Sequence, residues 1–370
     1  MSTEANRIAA NKLEESLSAY APTYRKLFKA FKSYPNFKQL WDLIFLIGSN
    51  SIKTGALHVD SKPEEILKEV LSSWPGDLLW KLNKEIDDPY QRIDIAKNIC
   101  SILPQLKSEI GSDLPLAEEL KETGFVKLND LLDQQSLNEM IRFFRDGQYS
   151  AQDGPTYLHS VEDIVAAPHS LALATNPQIL SIVKDYLGAP PTIVDMSVWW
   201  TVPTESNDYG AHIFHRDFDD FRACKLFFYL TDVETDDGPH IFARNTHDPT
   251  FCAKLIAEHR LPETQLGVLF SKASRGIVWP IEQFFSNQIS EITGKAGTAF
   301  LEATYGFHRG KTPKRHMRGL FQVLYGLIPY PNRLDRFQNV RIDSLPSSCV
   351  DTELSRYAAR LMISPPNNDK

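Results

Sequence analysis

After residue 190 the chain is cut into short strand-like runs by turn residues, and this punctuation restricts the fold more than any other feature. Residues 192–202 lie between Pro191 and Pro203, and 222–231 is rich in aromatics. A turn at Asp236-Asp237-Gly238-Pro239 leads to 241–243, and 297–302 and 319–325 follow much later. Runs of three to eleven residues, rich in β-branched and aromatic side chains and bounded by Gly and Pro, read as strands of a sandwich or barrel. Helices are expected before and beside them. One covers 137–144, another covers 177–187 and stops at Gly188, and a short one ends at Gly124 ahead of a strand at 125–128. Strand pattern alone does not separate one β-sandwich from another.

Two of these runs carry chemistry that must meet in space. Phe214-His215-Arg216-Asp217 precedes Gly306-Phe307-His308-Arg309-Gly310 by some ninety residues. On a strand, side chains at i and i+2 leave the same face, so His215 and Asp217 can address one metal ion together. A second imidazole, from His308, would complete two histidines and a carboxylate on one side of the ion, with the other side open. That is the arrangement of non-haem Fe(II) oxygenases. His-x-Asp by itself is weak: with ten histidines such a triplet arises by accident about half the time. The chain contains a second one, His58-Val59-Asp60. There Ser61-Lys62-Pro63-Glu64 follows and reads as a helix entry, so His58 is not expected at a metal. His212 falls three before His215, on the opposite strand face. His240 and His247 flank the short strand at 241–243, and Asp219 and Asp220 are expected in solvent or against polar substrate groups.

Taken in order, further features accompany the motif. Gly124-Phe125-Val126-Lys127-Leu128 and Val183-Lys184-Asp185-Tyr186-Leu187-Gly188 come before it, and Arg318 stands ten residues beyond His308 at the start of a strand. Over roughly residues 118–330 the chain resembles the phytanoyl-CoA dioxygenase family of Fe(II)/2-oxoglutarate oxygenases. One loop departs: the family commonly ends it Pro-Gly-Ser-His, and here it reads Ala243-Arg244-Asn245-Thr246-His247. The resemblance implies an α+β protein with a double-stranded β-helix core (a jelly roll, cupin-like) flanked by helices. It implies Fe(II) held by His215, Asp217 and His308, with 2-oxoglutarate and O2 as cosubstrates and no catalytic residue beyond the metal ligands. The implied reaction is hydroxylation of an unactivated C–H of a small-molecule metabolite, with release of succinate and CO2. Related halogenases replace the carboxylate by a small residue, and Asp217 is present. Desaturation, epoxidation or rearrangement at the same iron is the alternative, as is a non-catalytic metal-dependent binding module. A zinc hydrolase is disfavoured because nothing nearby reads as a general-base motif.

Arg318 is the expected anchor for the distal carboxylate of 2-oxoglutarate, since a planar guanidinium matches a carboxylate with two parallel hydrogen bonds. Arg315, three residues earlier in the loop, is its nearest competitor. Lys225, Phe227 and Tyr229 share a strand face by parity, and Lys225 and Tyr229 are expected to line the cosubstrate pocket.

At 370 residues, one large domain with an appendage is expected. Residues 1–114 read as a helical accessory region, 115–335 as the oxygenase domain with a helical insertion at about 250–288, and 336–370 as a C-terminal helix and tail. Hydrophobic content of 42%, charged content of 24% and a net charge of −7 suit a globular protein and give no reason to expect nucleic acid. The longest apolar run, Leu43-Ile44-Phe45-Leu46-Ile47, is too short to span a bilayer. Four cysteines, Cys100, Cys224, Cys252 and Cys349, form no close pair, which favours a reducing compartment. A cytoplasmic protein with a small-molecule substrate and no membrane partner is expected. The N-terminal helices are candidates for packing against a second copy or another partner. Residues 146–168 are polar and read as an irregular surface loop or lid over the mouth.

Overall fold

The computed structural model of the protein describes residues 83, 88–108, 111, 114–205, 210–271, 281–327 and 350–362. Most of the expected accessory region, the His58 triplet and Cys349 lie outside these residues. What is described is α+β, with two antiparallel sheets and helices packed around them. No helix among the described residues is long and apolar enough to cross a membrane.

The larger sheet contains β1 (Phe125–Leu128), β2 (Ala151–Asp153), β3 (Thr156–Leu158), β4 (Thr192–Thr201), β5 (Ala223–Tyr229), β8 (Ala299–Glu302) and β10 (Arg318–Gly326). Their order across the sheet is β1-β8-β5-β10-β4-β3-β2. The smaller sheet holds β6 (His240–Ala243) between β7 (Ile289–Ile292) and β9 (His308–Gly310). Alternation along the strands sorts the side chains into two layers. Leu226, Phe228, Leu301, Phe321, Val323 and Tyr325 face helix Pro177–Leu187 and its neighbours in the main core. Phe227, Tyr229, Phe300 and Leu320 point the other way and pack against Phe242 and Ile292 of the smaller sheet. The central strands are therefore covered on both faces, and every residue of β10 is buried. Full burial of each such large apolar side chain contributes about 1.5–3 kcal/mol.

The helix ends follow their local chemistry. Asn176 caps Pro177–Leu187 by accepting from the Gln178 and Ile179 amides, and Gly188 closes it in the left-handed region at φ 81°. Gly124 does the same after Leu114–Thr123 at φ 79°. Helices Pro89–Ile102 and Glu353–Ala359 fall where the residue pattern reads as helical, at 91–103 and near 353–361.

Two expectations need revision. Residues 146–168 are not irregular: β2 and β3 form a hairpin around Gly154, followed by helix Val161–Ala166. The hairpin extends the larger sheet, with Thr156 opposite Thr201 and Leu158 opposite Trp199. Three-residue strands carry too little alternation to be seen in sequence; their pairing with β4 makes them strands. In the insertion the residue pattern marks one helix, near 253–259, whereas Pro249–Glu258, Thr264–Phe270 and Ile281–Phe284 are all helical.

Candidate metal centre

Backbone pairing, not a continuous strand, brings the motif together. His215 and His308 form an isolated antiparallel bridge, each amide donating to the other's carbonyl at 3.0 Å. Two residues on, the Asp217 amide donates to the Thr304 carbonyl at 2.8 Å. The i, i+2 geometry survives because this clasp holds the segment extended where no regular strand is formed. Just before His308, Gly306 has no room for a side chain, since a Cβ there would lie 2.6 Å from the Phe242 ring. The Thr246 hydroxyl accepts from the Phe307 amide at 2.8 Å.

Within this frame the side chains converge. His215 Nε2 lies 3.6 Å from Asp217 Oδ1, and His308 Nε2 lies 3.5 Å from Asp217 Oδ2. The two rings are 4.3 Å apart between centroids, and one donor atom from each of the three residues lies within 4.8 Å of the others. Each imidazole turns Nδ1 to a backbone carbonyl two residues before it: Ile213 at 2.7 Å for His215 and Gly306 at 3.0 Å for His308. A carbonyl can only accept, so Nδ1 carries the proton and the Nε2 lone pairs face inward. Burial works against the Asp217 charge, but Lys225, His308 and His215 hold its carboxyl well below the usual range. Two imidazoles that turn Nε2 toward the same carboxylate, and that carboxylate in its ionised form, make a donor set that could hold a divalent metal ion.

Arg318 opens β10 and points between the sheets, 3% exposed. Its Nη1 donates to the carbonyls of Gly238 and, at 3.5 Å, Lys311; Nη2 lies 3.5 Å from Thr201 Oγ1. Nε has no partner, and no carboxylate pairs with this guanidinium among the described residues. Burial pushes its pKa down, which states the same cost in another form. Gly310 lies against the guanidinium, where a Cβ would come within 3.0 Å of Nη2. Gly310 is two residues beyond His308 on β9, so the uncompensated cation and the His308 side chain lie on the same face of that strand.

Arg315 has a different fate. It pairs with exposed Glu234 at 2.6 Å and with the buried carboxylate of Asp237 at 3.0 Å, and is itself half exposed. The Arg315 hydrogen bonds bring the Asp237 carboxyl down to about 2. A carboxylate depressed on folding stabilises the fold above its unfolded pKa, near 3.9, and loses that contribution as pH falls through its folded value. The stability gap between the wild-type protein and Asp237→Asn should therefore be constant above about pH 5. Urea midpoints should show it closing between about pH 4 and pH 2.

The other expected cosubstrate residues separate. Lys225 pairs across the sheet with Leu324, six residues along β10 from Arg318, or roughly 20 Å of strand. Its ammonium donates to Asp217 Oδ2 and lies 2.9 Å from Asp219 Oδ2, so it belongs to the metal end of the interior. Tyr229 is on the same face but nearer Arg318, paired with Leu320. Its hydroxyl donates to the Ile292 carbonyl at 2.6 Å and accepts from the His240 amide at 3.0 Å, fastening one sheet to the other. Asp220 is buried and accepts from the Phe221 and Leu327 amides, a structural task. His212 is buried, with Nδ1 2.8 Å from the Gly310 carbonyl. His247 lies away from the triad, beneath Gly124 and 2.9 Å from the Lys121 carbonyl.

Two residues around the centre carried no distinct signal in the sequence. Glu302 is fully buried at the end of β8, with His240 Nε2 at 2.8 Å and His308 Nδ1 at 3.7 Å. A glutamate ending an apolar run was the available hint. Arg216 sits between two candidate ligands yet points into the core of the insertion. Phe270 and Phe307 lie 4.0 and 3.9 Å from its guanidinium, and the carbonyls of Leu269, Thr246 and Tyr305 accept from it. It thus ties helix Thr264–Phe270 to the His-x-Asp segment. Arg216→Met removes the donor to three carbonyls and should cost about 1–3 kcal/mol in urea unfolding. An unchanged midpoint would contradict that role.

No protein-family model matches the chain, and neither does any curated protein. Solved structures that resemble it include EctD from S. alaskensis with 2-oxoglutarate and 5-hydroxyectoine. That likeness has 14% identity and a TM-score of 0.42 and covers 71% of this chain and 94% of that one. HygX from Streptomyces hygroscopicus, with nickel and 2-oxoglutarate bound, is 15% identical, with a TM-score of 0.40 over 58% of this chain and 86% of that one. The non-heme alpha ketoglutarate dependent epimerase SnoN from nogalamycin biosynthesis is also 15% identical, with a TM-score of 0.38 over 57% and 81%. Every one of these TM-scores is below 0.5.

Proposed function

We propose that this protein is an Fe(II)- and 2-oxoglutarate-dependent oxygenase whose two sheets are those of a double-stranded β-helix. Its reaction is hydroxylation of an unactivated C–H in a small-molecule metabolite, coupled to conversion of 2-oxoglutarate and O2 to succinate and CO2. The observation that carries this reading is the pairing of a two-histidine, one-aspartate cluster with the uncompensated Arg318 guanidinium in the same interior. A buried cation without a carboxylate partner is costly, and an anionic cosubstrate relieves that cost.

The donor set fits the metal. Imidazole and carboxylate suit Fe(II), three ligands on one side leave positions open, and no thiolate competes. When bound, the iron supplies the activation of oxygen. The protein's own residues do the rest. His215, Asp217 and His308 hold the metal, with both imidazoles fixed in one tautomer by backbone carbonyls. Arg318, steadied by Gly238 and near Thr201, receives the distal carboxylate of 2-oxoglutarate. Phe227, Phe300 and Leu320 wall the interior and exclude water from it. Tyr229 keeps the sheets at a fixed spacing, so the anchor and the metal stay in register.

The test is conversion of 2-oxoglutarate to succinate by the iron-reconstituted protein in air, which requires no knowledge of the metabolite. Succinate formed in proportion to O2 consumed is expected. Absence of succinate from a protein that retains one metal ion would count against the reading.

A further inference from the structure

Lys225 has a place at the proposed metal centre but no task in the account so far. It projects from the inner face of β5, and its side chain is 18% exposed. The Nζ is held from two sides, donating to Asp217 Oδ2 and lying 2.9 Å from Asp219 Oδ2. Asp217 Oδ1 faces His215 Nε2 at 3.6 Å, and Oδ2 lies 3.5 Å from His308 Nε2. The two oxygens of one candidate ligand differ in one respect: Oδ2 is engaged by the Lys225 ammonium, and Oδ1 pairs with no lysine or arginine among the described residues.

We propose that Lys225 is a positioning residue, which engages Oδ2 of Asp217 so that Oδ1 alone turns to the metal. This rests on the metal-centre reading above and adds to it. A carboxylate that bound through both oxygens would fill a position the cosubstrate or oxygen requires. A charge-assisted hydrogen bond to Oδ2 fixes the rotation of the carboxylate and weakens that oxygen as a donor. Asp219 makes this arrangement compatible with a dication. Together Asp217, Lys225 and Asp219 carry one net negative charge, the same as a lone carboxylate. The opposing account, in which the lysine merely competes with metal for Asp217, predicts the opposite sign when it is removed.

The experiment is Mn(II) binding to the full-length protein, followed by electron paramagnetic resonance. The double variant Lys225→Met/Asp219→Asn keeps the local charge while removing the contact. Positioning predicts Mn(II) affinity lower by about 10–100-fold, the usual loss when a ligand's outer partner goes. It also predicts weaker 2-oxoglutarate binding to the Mn(II) form, because the freed carboxylate competes for its position. Lys225→Gln/Asp219→Asn retains an amide donor to Oδ2 and should lose less, and it decides the matter if the methionine variant does not fold. Equal or tighter Mn(II) binding in the methionine variant overturns the proposal, as does a glutamine variant no better than it. A wild-type protein that binds no Mn(II) would instead overturn the metal centre itself.

Discussion

His215→Ala is expected to yield a folded protein that loses its iron and, with it, 2-oxoglutarate turnover. The substitution removes one of three donors and leaves the frame standing, because the contacts that place His215 are made by its backbone to His308. Loss of an outer-shell partner already costs about 10–100-fold in metal affinity, and loss of a ligand should exceed that. Asp217→Ala should abolish turnover as well, while leaving Lys225 held by Asp219. Iron content per chain, measured after gel filtration beside the urea midpoint, separates loss of metal from loss of fold. His58→Ala provides the comparison, since that triplet reads as a helix entry, and its iron content and turnover should match wild type. Retention of iron by His215→Ala, or its loss from His58→Ala, would mean that the other His-x-Asp had been the ligand pair.

Arg318→Ala should weaken 2-oxoglutarate binding by roughly 10- to 150-fold while leaving iron in place. A charge-assisted bidentate contact is worth roughly 1.5–3 kcal/mol, and each ~1.4 kcal/mol is about tenfold. Arg318→Lys should recover only part of the loss, because an ammonium restores charge without the planar fork. Arg315→Ala tests the same strand from outside. Its charge is already compensated by Glu234 and Asp237, so the affinity should change by less than about threefold. Calorimetric titration of 2-oxoglutarate into the Mn(II) form of each variant gives the comparison. A large shift for Arg315→Ala and a small one for Arg318→Ala would place the anchor on the wrong arginine.

Much of this arrangement was legible in the sequence where local chemistry decides it. Caps and glycines marked the helix ends at Gly124 and Gly188, and Arg318 stood at the head of a largely apolar run, 319–325. The spacing of His215 and Asp217 and the distant His308 named the three side chains that the structure brings together. Their means of convergence was less legible. An extended pair of residues was expected on a strand, and a backbone bridge from a loop to the first residue of β9 holds it instead. Parity placed Lys225 and Tyr229 on the inner face but could not say how far along it. That distance depends on register with β10, and register puts Lys225 at Asp217 and Tyr229 near Arg318. Arg216 was opaque for the opposite reason: the middle residue of an i, i+2 pair points away from the site, and its partners lie in an insertion with no fixed spacing. The hairpin at β2 and β3 is made by pairing with β4, which three residues of sequence cannot announce.

On the proposed reading, one interior holds both iron and 2-oxoglutarate. Anaerobic addition of 2-oxoglutarate to the Fe(II) protein tests this through the visible charge-transfer absorption that arises only when the 2-oxo acid chelates the iron. The band should saturate at one 2-oxoglutarate per iron, shift to higher 2-oxoglutarate concentration in Arg318→Ala and be absent in His215→Ala. A wild-type protein loaded with iron that gives no band, or an equal band in His215→Ala, would contradict it.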